Sequence, residues 1–77
     1  MLDIEDPRTL LRKEMAINES EGVLIRKRMR LMREFINDLP STDPQYSMIA
    51  VAIEADQVEL DELQRRARAI AQKIEEL

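Results

Sequence analysis

The chain has no cysteine and no histidine among its 77 residues, one glycine, and only two aromatics, Phe35 and Tyr46. Without cysteine there is no disulfide, no thiol nucleophile and no zinc finger. Without histidine the usual general base and the commonest metal ligand are missing too. The single glycine, Gly22, leaves no glycine-rich loop to cradle a phosphate. No stretch has the aspartate spacing and central glycine of a calcium-binding loop. The longest unbroken apolar run, Met48 to Ile53, is far too short to span a bilayer. The first residues, Met1-Leu2-Asp3-Ile4-Glu5-Asp6, are acidic and lack the apolar stretch of a signal peptide. The expectation is a cytoplasmic protein with no cofactor, no metal, no small-molecule substrate and no membrane contact.

What is present is helical. Charged residues make up 36% and apolar residues 44%, the balance of long helices or coiled coils rather than of a mixed domain. At this length one domain is near the limit at which its own core holds it together, so self-association or a partner is the expected source of further stability.

Apolar residues recur as Tyr46, Ile49, Ile53, Leu60, Leu63, Ala67, Ile70, Ile74 and Leu77, in alternating threes and fours, with Asp56 as the polar slot. That spacing lays one residue per turn on a stripe, the seam of a helix lying along another. An earlier stretch repeats it through Leu11, Met15, Ile25, Met29, Met32 and Ile36, with Asn18 and Gly22 filling two slots. Asp6-Pro7 and Asp43-Pro44 are helix starts, an aspartate cap followed by proline where its missing N–H costs nothing. Pro40 ends the first helix by pushing Leu39 out of the helical region. The fold expected is all-α and forms one domain over residues 1–77. It has a short tail over 1–5, helices over about 7–37 and about 44–77, and a loop over about 38–43.

Asn18-Glu19-Ser20-Glu21-Gly22 is poor helix sequence, and a break there would give three helices. Matched lengths and an unbroken heptad phase favour one continuous helix. Folding about the loop pairs residue i with about 82 minus i. Arg26 and Lys27 then face Asp56, Glu14 faces Arg68, and Glu19 lies near Arg65 and Arg66. Arg8 approaches Glu75 and Glu76, and Glu5 and Asp6 approach Lys73. Opposite charges flanking a seam select the orientation of the pair.

Three features bear on function. The first is apolar surface beyond the seam. Met48, Val51, Ala55 and Val58 form a stripe on the second helix, and Leu24, Leu31 and Phe35 stand level with them on the first, with Tyr46 at the edge. A helix apolar nearly all round is buried on more than one side. Two readings follow: the core of a homo-oligomer, with a four-helix dimer favoured, or a docking surface for another protein's helix. The column Leu10, Ile17, Leu24, Leu31 resembles a zipper, but no basic region precedes it, which argues against a zipper-type DNA binder.

The second feature is the basic run Arg26-Lys27-Arg28-Met29-Arg30-Leu31-Met32-Arg33, in which Arg26, Lys27, Arg30 and Arg33 form an outward ridge. It could track phosphates. The plainer reading is a solvated face balanced by Glu54, Asp56 and Glu59, in keeping with a net charge of −4 and no aromatic there to stack a base. The third feature is Asp56 itself, a lone acid in the seam. Arg26 is its expected partner, and the pair is expected to set register or oligomer state at some cost in stability.

Leu11-Arg12-Lys13-Glu14-Met15 followed by Ile25-Arg26-Lys27-Arg28-Met29 resembles the first helix of the all-helical chorismate mutases, which bind a dicarboxylate through Arg and Lys. The chain departs from that family where Leu39-Pro40 stands in place of a lysine-bearing loop, and it has no matching third helix. The hairpin architecture is also similar to that of the plasmid copy-control dimers that bind RNA, without a shared motif. The stretch from Pro40 to Pro44 resembles the Pro-flanked loop of secretion-needle subunits, with different surroundings. The function expected is non-enzymatic: an adaptor, assembly factor, small chaperone or inhibitor working through helix–helix contacts. A nucleic-acid-binding regulator that uses the ridge is the alternative.

Overall fold

The computed structural model describes residues 6–77, so the expected tail, and Glu5 with it, lies outside the described residues. Two helices pack against each other, α1 (Pro7–Asn37) and α2 (Pro44–Glu76). Both start as the Asp-Pro pairs dictate. The Asp6 carboxylate accepts from the Arg8 N–H at 2.8 Å, and the Asp43 carboxylate from the Gln45 N–H at 2.9 Å. Each bond satisfies a first-turn N–H that has no partner within the helix. The turn between the helices is held by its own backbone, with Leu39 N–H donating to the Ile36 carbonyl and Asp43 N–H to the Pro40 carbonyl.

α1 continues through Asn18–Gly22 without a break. Two observations explain why weak helix formers hold there. The Asn18 side-chain amide donates across the seam to the Leu63 carbonyl at 2.8 Å. Gly22 is buried beneath Leu60, where a Cβ would meet the Leu60 Cδ1 at 3.8 Å. Tertiary contact supplies what local propensity withholds. Both pairs also fix the register, which agrees with the fold about the loop to within a residue.

The seam is the one read from the periodicity. Ile25, Met29, Leu60 and Leu63 are buried, with Met32 and Ile53 packed against them. Towards the ends the stripe opens, and Leu11, Met15, Ile36, Tyr46, Ile49, Ala67, Ile70 and Ile74 are only half-buried. The molecule measures 61 × 24 × 15 Å, a slab two helices wide and one helix thick. Each helix therefore has a neighbour on one side alone.

Candidate functional site

A helix pair has two flanks, one along each edge of the seam, and in an antiparallel pair like flanks meet like. On the first flank Arg28 reaches over the seam to Asp56. Its Nε donates to Oδ2 at 2.8 Å and its Nη2 to Oδ1 at 2.6 Å, a two-pronged grip, and Glu59 stands 3.7 Å from the same guanidinium. Asp56 is 8% exposed, the one buried charged side chain among the described residues, while Arg28 keeps more than half of its side chain in water. The hydrogen bonds from Arg28 hold the Asp56 carboxyl below its ordinary pKa, with the opposite charge helping and burial opposing.

This corrects the partner assigned from register. Arg26 is level with Asp56 along the axis but lies on the other flank, in a groove with Met29, Gln57 and Leu60. Level along the axis does not specify side. Two residues further on the helix turns by about 200°, and Arg28 emerges where Asp56 is. The same oversight affects the other expected pairs. Among the described residues Glu14, Glu19, Asp6, Arg65, Arg66 and Arg68 form no ion pair across the seam. Glu14 shares its flank with Glu21 and Arg66 rather than with Arg68, and Glu19 shares its own with Gln64. Arg8 donates to the Leu77 carbonyl, not to Glu75 or Glu76.

Around the Arg28 ion pair lies the apolar surface. Leu24, Leu31 and Phe35 stand four, three and seven residues from Arg28, on one stripe of α1. Ala52, Ala55 and Met48 stand seven, four and eleven residues before Glu59, on the facing stripe of α2. Val51 and Val58 carry the apolar surface round to the back of α2. All the large members are strongly exposed, from 53% at Phe35 to 72% at Met48. Ala55 is exposed, and Tyr46 is half-buried at the start of α2.

The opposite flank carries the ridge. Arg26, Arg30 and Arg33 line a groove of about 340 Å³ with Met29, Glu34, Asn37, Gln57 and Leu60, and Lys27 lies outward of it. The α2 wall here offers Gln57, which donates to Asp61 at 3.0 Å, with Gln64 beyond it. Of the three acids expected to balance the ridge, Asp56 and Glu59 are on the other flank with Arg28. None of the four ridge cations forms an ion pair among the described residues.

Among the described residues no three carboxylates converge to hold a metal ion, and no helix is long and apolar enough to cross a membrane. The sequence and the fold find no match among protein families, curated proteins or solved structures. The structure leaves the large members of the apolar set exposed, and it replaces Arg26 by Arg28 as the partner of Asp56. The signal that would have found it is rotational phase, since Arg28 and Asp56 lean to the same edge of the seam.

Proposed function

We propose that this chain is a non-enzymatic helical interaction protein whose working surface is the apolar flank around Arg28. Adaptor, assembly factor, small chaperone and inhibitor are the roles that such a surface serves. The observation that carries the reading is the exposure of Leu24, Leu31, Phe35, Met48, Val51 and Val58, while the buried apolar core among the described residues is four side chains. A scattered exposed apolar residue is ordinary, whereas so many large ones beside so small a core favour a surface that another molecule covers. Phe35 and Met48 suit the centre of such a contact, because aromatic and methionine side chains are enriched there and Met adapts its shape.

A photo-crosslinking amino acid placed at position 35 in the living cell tests it directly. Crosslinks to protein are expected at that position, and few from the same probe at position 68. Crosslinks concentrated at 68, with none at 35, would displace the working surface to the charged ends. Nucleic-acid binding through Arg26, Lys27, Arg30 and Arg33 remains the second reading. It is supported by the absence of any ion pair to these four cations among the described residues, and opposed by the net charge of −4.

A further inference from the structure

We propose that the occupant of the apolar flank is a second copy of this chain, which closes two hairpins into a four-helix bundle through the Arg28 flank and leaves the ridge flanks outward. This rests on the docking reading above and names its partner.

Surface area comes first. The accessible surface is 6339 Å² for a 9.0 kDa chain. A compact monomer of that mass exposes about 4,900 Å². The surplus of roughly 1,400 Å² exceeds the ~800 Å² that each partner buries in a stable interface of ordinary size. The half-buried seam residues indicate where covering is needed. Met32, Ile36, Ile49 and Ile53 towards the loop, and Leu11, Met15, Ile70 and Ile74 towards the other end, have the seam on one side and water on the other.

Charge chooses the flank and the partner. A two-fold contact lays a surface on its own image, so the surface must tolerate itself. On the Arg28 flank the cation amid the apolar strip is already met within the chain by Asp56 and Glu59. Two such strips stack without setting an uncompensated cation against its copy. The other flank meets this condition less well, since Arg26, Arg30 and Arg33 share their groove with one acid, Glu34, form no ion pair among the described residues, and would meet three more cations. An acidic foreign helix would find Arg28 already engaged by Asp56 and Glu59. A second copy brings the same internally paired cation and the same apolar residues.

The sequence has no cysteine, so one introduced thiol is the only thiol in the molecule. In the single hairpin Leu31 is 65% exposed and Val23, on the ridge side, 46%. Without a second copy a thiol-specific label should react faster with Leu31→Cys than with Val23→Cys. With the proposed dimer that order reverses, and Leu31→Cys becomes slower by roughly tenfold or more. Phe35→Cys serves as a second position on the covered flank. Light scattering on the purified full chain at micromolar concentration should give about twice the single-chain mass, as a two-fold dimer requires. A single-chain mass overturns the proposal, and so does a dimer in which Leu31→Cys still labels faster. A monomer whose position 35 nevertheless crosslinks to another protein in the cell would overturn the second copy alone and leave the docking surface in place.

Discussion

Arg28 grips Asp56 with two hydrogen bonds, of 2.8 and 2.6 Å, yet the two residues differ sharply in their access to water. The carboxylate is buried and the guanidinium is mostly exposed. The asymmetry decides what each substitution does. Asp56→Leu removes a buried charge, fills the polar slot between Ile53 and Leu60, and leaves Arg28 in water beside Glu59. Replacing buried ionic groups by packed apolar ones often stabilises by ~1–4 kcal/mol. The expected outcome is a raised melting temperature, a changed oligomer state, or both. Arg28→Ala is expected to act in the opposite direction, because it strands the buried carboxylate. Thermal unfolding of the two variants with light scattering checks this. An unchanged melting temperature and mass for Asp56→Leu would mean that Asp56 is effectively solvated.

The same pair makes stability depend on pH in a defined direction. Hydrogen bonding to Arg28 lowers the folded-state pKa of Asp56 below its unfolded value, which is about 3.9 for a free aspartate. At a pH between the two values the unfolded chain binds more protons, so stability there rises with pH. The contribution of Asp56 is therefore complete above its unfolded pKa and is lost as pH falls through the folded one. Unfolding free energies of the native chain and of Asp56→Asn should converge as the solution is acidified below about pH 4, and run parallel from about pH 5 to 8. A gap that stays constant down to pH 2 would dissociate Asp56 from any charge-dependent role.

Helix ends and seam were legible because their signals are local or periodic. Asp6-Pro7 and Asp43-Pro44 each specify a start within a few residues, and the three–four spacing survives any uncertainty in register. Cross-helix partners were not legible from level alone. The fold about the loop says which residues share a height, as Gly22 and Leu60 do, and is silent on which flank each side chain leaves by. Height points to Arg26, and phase makes Arg28 the partner. The Asn18 bond was half legible. A polar residue in a seam slot announces a partner, but its acceptor is the Leu63 backbone carbonyl, which every residue has and no pattern distinguishes.

Gly22 stands in the middle of α1 with an ordinary helical backbone, so nothing in its conformation demands glycine. A methyl group there would touch Leu60 at 3.8 Å and the Arg26 guanidinium at 3.9 Å, both normal contact distances. Gly22→Ala should therefore stabilise the chain by about 1 kcal/mol through helix propensity and a less free unfolded state. For a domain of this size that is a rise of about 4–8 °C in melting temperature. A fall would show that the two helices approach more closely at Gly22 than those distances allow.

For the ridge, local and global charge compete. Arg26, Arg30 and Arg33 on one flank, with Lys27 outward of them, gather four cations on a chain whose net charge is −4. Each phosphate neutralised releases counterions, so any binding must weaken steeply with salt. The expected result is that neither RNA nor duplex DNA is retained at physiological ionic strength. Retention there, abolished by replacing all four with Gln, would reverse the ranking and make the chain a nucleic-acid-binding regulator.

The apolar flank makes the most exacting prediction, a ranking of positions. Phe35 and Val51 are exposed in the hairpin, so changing them leaves the seam intact and acts only on what covers them. Phe35→Ala removes a large anchoring side chain, and anchors at the centre of an interface typically cost 2 kcal/mol or more on truncation, about a thirtyfold loss of affinity. Val51→Asp places a charge at the margin of that contact, where the apolar surface passes from the flank to the back of α2. Glu19 and Arg66 are solvated, form no ion pair among the described residues, and lie away from the loop. Glu19→Ala and Arg66→Ala should change association by less than about twofold, in keeping with exposed charges that contribute little. Sedimentation equilibrium across a dilution series, with circular dichroism to show that helicity is retained, measures all four on one scale. If Glu19→Ala and Arg66→Ala weakened association while Phe35→Ala and Val51→Asp left it untouched, the apolar flank would not be the covered surface. The contact would then lie along the loop-distal charges, held by ion pairs and dissolved by salt.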